Sequence, residues 1–292
     1  MKRFKGAFTA LVTPFKNGRI DRPALKRLIE FQIKDGINGL VPCGTTGEAA
    51  TLSYEEHDRM VNLTIEYAKG RVPVIAGTGS NSTEETIMLT KHANKAGAEA
   101  ALLITPYYNK PTQRGLYEHY KKIASECDMP IILYNVPSRT AVNLLPETVA
   151  KLSEIENIIG IKEAAGNLEQ ASEIISLSRK DFIVLSGDDF TTLPLLSVGG
   201  HGVVSVTSNI VPRDVSRMCF EFFAGNLHDA RGLHYKLFKL HRMIFIETNP
   251  IPVKTALSLM GIVGPEMRMP LVNMEGANLL RLKDALKGYR LI

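Results

Sequence analysis

The chain alternates short, mostly apolar runs with longer segments in which apolar residues recur every three or four positions. The short runs predict strands and the periodic segments predict amphipathic helices. Strands are expected at 7–13, 39–43, 72–76, 100–105, 130–135, 158–162, 182–186 and 202–206. Asp21 with Pro23 opens the first helix, whose stripe is Leu25, Leu28, Ile29 and Ile33. Ser53 with Glu56, and Ser82 with Glu85, read as capping boxes, the former starting a helix at 54–69. Further helices follow at 112–127, from Pro146, at 167–178, at 190–198 and from Pro212. Strands that are apolar on both faces belong to parallel sheets. Eight strand–helix units with no half-polar edge strand predict an α/β fold, a closed (β/α)8 TIM barrel over 1–225. Helical patterns at 227–245, 251–260 and 274–287 are punctuated by Pro250, Pro252, Gly261 and Gly264-Pro265. They predict a C-terminal helical subdomain over 226–292.

Composition narrows the class. The chain of 292 residues is 45% hydrophobic, ample for a large core. Its net charge of +5 is dispersed, which argues against nucleic-acid binding and is compatible with anionic substrates. Cys43, Cys127 and Cys219 form no CxxC pair, so a reducing compartment, the cytoplasm, is expected. The basic start at 1–6 is followed by an apolar run too short for a secretory signal. No run approaches the ~18 residues of a membrane span.

In such a barrel the chemistry sits at the C-terminal ends of the strands. The sixth run is apolar over 158–161 and then meets Lys162 and Glu163. Burying an ammonium without a partner is costly, so a lysine there tends toward the neutral amine. That amine is a nucleophile able to form a Schiff base with a carbonyl. The alternative is a lysine that snorkels to solvent or pairs with Glu163. Alternation puts Ile158, Gly160 and Lys162 on one face, so Gly160 is expected to leave room for the lysine stem. Ile132 and Tyr134 share a face of the fifth strand in the same way. Neighbouring strands lie ~4.8 Å apart, so phenol and amine meet if both faces point inward. A phenol there can move protons as a carbinolamine forms and dehydrates.

Other strand ends add polar groups. Gly44-Thr45-Thr46-Gly47 offers N–H groups and hydroxyls suited to a carboxylate, or is simply a tight turn. Arg139 is a fork for a second carboxylate. Tyr107-Tyr108 reads as loop packing or an interface anchor. Asp188 and Asp189 are expected to cap the following helix. The seven histidines fall away from the strand ends and HExxH is absent, so no metal site is expected.

GTTGE at 44–48, YNVPSRT at 134–140, GIKEA at 160–164 and SGDD at 186–189 together resemble one family. It is the pyruvate-dependent class I aldolase family of dihydrodipicolinate synthase and N-acetylneuraminate lyase, and the motifs look most like its synthase branch. The likeness spans essentially the whole chain, from 10–15 to 249–254. It implies that Lys162 forms a Schiff base with pyruvate and that Tyr134 transfers protons. It implies that Thr45 links Tyr134 to Tyr108 of a neighbouring subunit, and that Thr45 and Thr46 hold the pyruvate carboxylate. Arg139 would hold the carboxylate of L-aspartate 4-semialdehyde, with backbone contacts from Gly187 and Val204. The resemblance further implies no cofactor, no metal, and a homotetramer built as a dimer of dimers. The product would feed diaminopimelate and lysine synthesis. A sister aldolase or dehydratase acting on a sugar acid is the alternative; Arg139 favours the synthase, because sugar-acid enzymes of the family tend to lack it. Family members that bind L-lysine would do so here at Ala49, Ala50, His57, Asn81, Glu85 and Tyr107. Two positions depart from the responsive pattern, Ala49 where serine is frequent and Tyr54 where some carry histidine.

Overall fold

The computed structural model describes residues 4–292; Met1, Lys2 and Arg3 of the basic N-terminus lie outside the described residues. The eight apolar runs form parallel strands: β1 (Gly6–Ala10), β2 (Gly39–Val41), β3 (Ile75–Gly77), β4 (Ala100–Ile104), β5 (Ile131–Asn135), β6 (Ile158–Glu163), β7 (Ile183–Ser186) and β8 (Gly202–Ser205). β3 starts three residues later than its apolar run. Pro73 has no N–H to give to a ladder, and its carbonyl accepts from Leu40 N at 3.0 Å. β8 returns to pair with β1, and a bridge between Leu40 and Val74 joins β2 to β3. The ring therefore closes and leaves no strand edge open.

Alternation sorts the side chains of this ring. Phe8, Val41, Ile75, Leu102, Ile132, Leu185 and Val204 fill the interior, together with Tyr134. Leu40, Leu103, Leu133, Ile161 and Val203 face outward, into the layer beneath the helices. Each such fully buried leucine contributes ~2 kcal/mol through apolar area removed from water.

The helices are α1 (Arg22–Lys34), α2 (Tyr54–Ala68), α3 (Thr83–Ala96), α4 (Gln113–Glu126), α5 (Pro146–Ser153), α6 (Leu168–Leu177), α7 (Thr192–Ser197) and α8 (Pro212–Phe223). α9 (Leu227–Ile244), α10 (Ile251–Leu259) and α11 (Gly276–Gly288) follow the barrel. The outward apolar layer continues without a break into Leu237, Leu240, Leu257 and Leu282 of these last helices. The Asp21 side chain accepts from Ala24 N to cap α1, and the Ser53–Glu56 capping box of α2 is complete.

Two local expectations are corrected, and one element is added. Ser82 does cap α3, but Glu85 does not close the box; its carboxylate accepts from Ser80 Oγ at 2.6 Å and from the Tyr54 hydroxyl. Asp188 and Asp189 do not cap α7, which begins at Thr192. Asp189 instead accepts from Ser205 Oγ at 2.5 Å and from the N–H groups of Val206 and Thr207, pinning the end of β8. A short antiparallel hairpin, Phe15–Lys16 with Arg19–Ile20, turns at Asn17 and Gly18, both at positive φ. That Asn-Gly pair was its signal in the sequence.

Candidate active site

β5 and β6 set the centre of the site. Their register places Tyr134 directly opposite Lys162 and Asn135 opposite Glu163. Lys162 Nζ lies 3.8 Å from the centroid of the Tyr134 ring, and each residue is only 6% exposed. Among the described residues no carboxylate forms an ion pair with Lys162. Glu163 faces the other way, accepting from Ala165 N at 2.6 Å, Asn135 Nδ2 at 3.1 Å and Gln170 Nε2 at 3.2 Å. Burial pushes the Glu163 carboxyl up, against the pull of these donors. Pairing of Lys162 with Glu163 is therefore ruled out.

The room for the lysine stem comes from a different glycine than expected. A Cβ on Gly160 would stand 2.5 Å from the Ile183 carbonyl oxygen, so that glycine serves the contact between β6 and β7. A Cβ on Gly187 would stand 2.5 Å from Ala164 Cβ, 3.0 Å from Lys162 Cε and 3.2 Å from its Cγ. Gly187 thus leaves space for Ala164 and for the Lys162 stem, and its N–H donates to the Glu163 carbonyl at 2.7 Å. Val204 lies on the inner face of β8, packed within the barrel.

The loop after β2 carries two tight turns, Thr45–Gly47 and Ala49–Thr51, of which the first lies nearest the strand end. Its own bonds use the N–H groups of Gly47 and Glu48, which leaves those of Thr45 and Thr46 outside the turn's bonding. Thr46 is buried, and its Oγ1 accepts from Asn249 Nδ2 at 3.0 Å. Arg139 stands on a one-turn helix, Pro137–Thr140, directly after β5. It is exposed, has no ion-pair partner among the described residues, and donates from Nη2 to the Asn249 carbonyl at 3.2 Å. Thr45, Tyr134, Arg139, Asn249 and Tyr107 line one cavity of about 630 Å³. Lys162 is not itself in this lining; its amine rests against the ring of Tyr134, which is.

Not every expected residue converges within one chain. Tyr108 is 90% exposed and held at φ 73°. A non-glycine residue in that conformation costs of order 1 kcal/mol, and here it presents the phenol outward rather than toward Thr45. Ala49, Ala50, His57, Glu85 and Tyr107 line the outer part of the same cavity, whereas Asn81 does not. The Asn81 carbonyl instead accepts from Asn109 Nδ2 at 2.8 Å. His57 is buried rather than on a solvated face, and its Nε2 meets the Gly77 carbonyl at 2.8 Å. A carbonyl can only accept, so Nε2 carries the proton and the unpartnered Nδ1 is an acceptor. Burial holds the His57 pKa down, which favours this neutral ring.

Asn249 is a site residue that periodicity could not find. It lies beyond the barrel in sequence, between the C-terminal helices α9 and α10. Among the described residues no cluster of histidine, cysteine, aspartate and glutamate is arranged to hold a metal ion, and no helix is long and apolar enough to cross a membrane.

The profile of the dihydrodipicolinate synthetase family matches residues 3–289. A 4-hydroxy-tetrahydrodipicolinate synthase of Nitratidesulfovibrio vulgaris (strain DSM 19637 / Miyazaki F) is 58% identical over 291 residues, 99% of this chain and 100% of that protein. The crystal structure of dihydrodipicolinate synthase from Aquifex aeolicus matches with a TM-score of 0.97 at 48% identity, over 99% of each chain. That of the enzyme from Cyanidioschyzon merolae with lysine bound matches with a TM-score of 0.96 at 41% identity, also over 99% of each.

Proposed function

The chain belongs to the dihydrodipicolinate synthetase family, and from that premise we infer which of its residues carry the reaction and how. The activity is a lyase-type condensation of pyruvate with L-aspartate 4-semialdehyde to 4-hydroxy-tetrahydrodipicolinate, in diaminopimelate and lysine biosynthesis. The observation that carries the assignment of roles is the in-register pair of Tyr134 and Lys162 with no carboxylate on the amine.

The Lys162 amine adds to C2 of pyruvate, and the resulting carbinolamine loses water to give the imine. Tyr134 delivers the proton that leaves with that water and takes part in forming the enamine. The enamine carbon attacks the aldehyde of the second substrate. The substrate's own amine then adds to C2, closes the ring and releases Lys162. Thr45 and Thr46 hold the pyruvate carboxylate, and Gly187 keeps the space the lysine stem needs. The test is borohydride reduction in the presence of pyruvate, followed by peptide mapping. One reduced pyruvyl group is expected, on the peptide that contains Lys162; an adduct on another lysine would overturn the assignment.

Arg139 is the cation for the acceptor's carboxylate. It stands at the mouth, bound among the described residues only through a backbone carbonyl, so its charge is available to a ligand. Arg139→Ala is expected to raise KM for the semialdehyde by ~30-fold or more, the equivalent of ~2 kcal/mol for a desolvated charge pair. Pyruvate adduct formation should change far less. Equal damage to both steps would show that Arg139 does not select the acceptor.

We assign Tyr108 to a neighbouring subunit's site, where Thr45 would join it to Tyr134. A tyrosine held outward on a strained loop supports that arrangement, and a homotetramer is the assembly that provides it. Three buried free cysteines suit the cytoplasm.

The outer part of the cavity is the place for feedback by L-lysine. The Glu85 carboxylate can receive the ligand's α-ammonium, and His57, which lines the same cavity, would meet its side-chain amine. Tyr107, which lines this part of the cavity, would meet the carboxylate. Tyr107 and Tyr108 are adjacent, so a ligand on one can bias the other by ~1–3 kcal/mol and give partial inhibition. Millimolar L-lysine is expected to lower the initial rate, with a calorimetric heat that disappears in Glu85→Ala. No change in rate and no heat would leave these residues a purely structural role.

A further inference from the structure

One buried ion pair is not used by the reaction as described. Lys254, in α10, has no exposed surface, and its Nζ donates to Glu48 Oε1 at 2.5 Å. The Glu48 side chain is 1% exposed. Withdrawing both charges from water costs several kcal/mol, and well-packed apolar residues often serve stability equally well. Stability alone is therefore a weak reason for the pair.

Its position is informative. Glu48 directly follows the Thr45–Gly47 turn, with its backbone in the left-handed region at φ 55°. Glycine would adopt that conformation without strain, so a glutamate there points to a need for its side chain. The second carboxylate oxygen, Oε2, accepts from Arg268 N at 3.1 Å. The Arg268 guanidinium in turn holds both carboxylate oxygens of Glu56, at 2.5 and 2.6 Å.

The other end of the same short segment reaches the substrate groups. Asn249 Nδ2 donates to Thr46 Oγ1 at 3.0 Å, while the Asn249 carbonyl accepts from Arg139 Nη2 at 3.2 Å. An amide nitrogen can only donate. Thr46 Oγ1 therefore accepts there, and its own O–H is left to donate to an anion. Lys254 N bonds to the Pro250 carbonyl at 3.0 Å, so the lysine and Asn249 are tied through the first turn of α10.

We propose that Glu48 and Lys254 are positioning residues whose ion pair pins segment 249–254 against the Thr45–Gly47 turn. The pair thereby sets the spacing between the Thr46 hydroxyl that meets pyruvate and the Arg139 guanidinium that meets the acceptor. This deepens the assignment of Thr46 and Arg139 given above and rests on it.

The test is the double variant Glu48→Gln/Lys254→Met, which removes both charges together and strands neither. It is expected to melt close to the wild type. The pyruvate concentration that half-saturates both turnover and borohydride-trapped adduct should rise about ten-fold, with KM for the semialdehyde rising alongside it and kcat changing by less than about three-fold. A pair that served only to hold the fold would give wild-type KM values, and that result overturns the proposal, as does a loss confined to kcat. If the double variant does not fold, Glu48→Asp keeps the charge and shortens the arm by one methylene. Raised KM values in Glu48→Asp support the proposal, and wild-type values overturn it. Wild-type enzyme that forms no pyruvate adduct at Lys162 would remove the reaction itself, a result distinct from every outcome of the variants.

Discussion

Lys162→Ala lowers kcat by about 10⁴-fold or more and abolishes the borohydride-trapped adduct, while the protein stays folded. Lys162 is the amine held opposite Tyr134. The other buried lysine among the described residues, Lys254, is engaged by Glu48. No second nucleophile therefore stands ready to take over. The same geometry predicts a separation of stability from function. Lys162 is 6% exposed and has no carboxylate partner. An unpaired polar group buried this way costs ~1–3 kcal/mol. Lys162→Met fills the same volume without that cost, so it should melt ~2–4 °C higher than the wild type while remaining inactive. A steady-state assay, intact mass after reduction and a thermal melt read all three quantities. Activity within about ten-fold of wild type in either variant would remove Lys162 from the mechanism.

Tyr134→Phe lowers kcat by ~10²–10³-fold and slows adduct formation. The substitution retains the ring, and with it the packing against Ile132 and the 3.8 Å approach to the amine. Only the hydroxyl is lost, so the fold and the Lys162 position should hold. Rapid-quench trapping with pyruvate separates the roles. A proton-transfer group slows the appearance of adduct, whereas a packing residue leaves its rate unchanged. Wild-type trapping kinetics in Tyr134→Phe would reduce Tyr134 to a wall of the cavity.

The meeting of Tyr134 and Lys162 was legible because it depends on short-range rules. Strand alternation has a period of two, so Ile132 and Tyr134 must share a face. Eight such runs in series leave a closed ring of chain neighbours as the economical arrangement, and β5 then lies beside β6. The caps at Asp21 and Ser53 were equally local, each needing only the next three residues. Glu85 and Asp189 were misread for the complementary reason. Each carries a good local capping signal, yet a stronger partner arrives from elsewhere: Ser80 and Tyr54 for Glu85, and the end of β8 for Asp189. A carboxylate with two oxygens goes to the most desolvated donors within reach, and sequence spacing does not say which those are.

The sequence by itself therefore determined the barrel, the order of its strands, the pairing of phenol with amine and the family to which the motifs point. Those depend on periods of two and of 3.6 and on compact motifs, which act within a few residues. Tertiary structure alone decided which glycine makes room for Lys162, since a clash at Gly187 involves a neighbouring strand. It alone buried His57 against the Gly77 carbonyl. It alone brought Asn249 to Thr46 across 203 positions and Lys254 to Glu48 across 206. Contacts at such separations have no period to betray them. They exist because the closed ring brings the C-terminal segment back over the mouth of β2, where desolvated polar groups must find partners or forfeit the cost of leaving water.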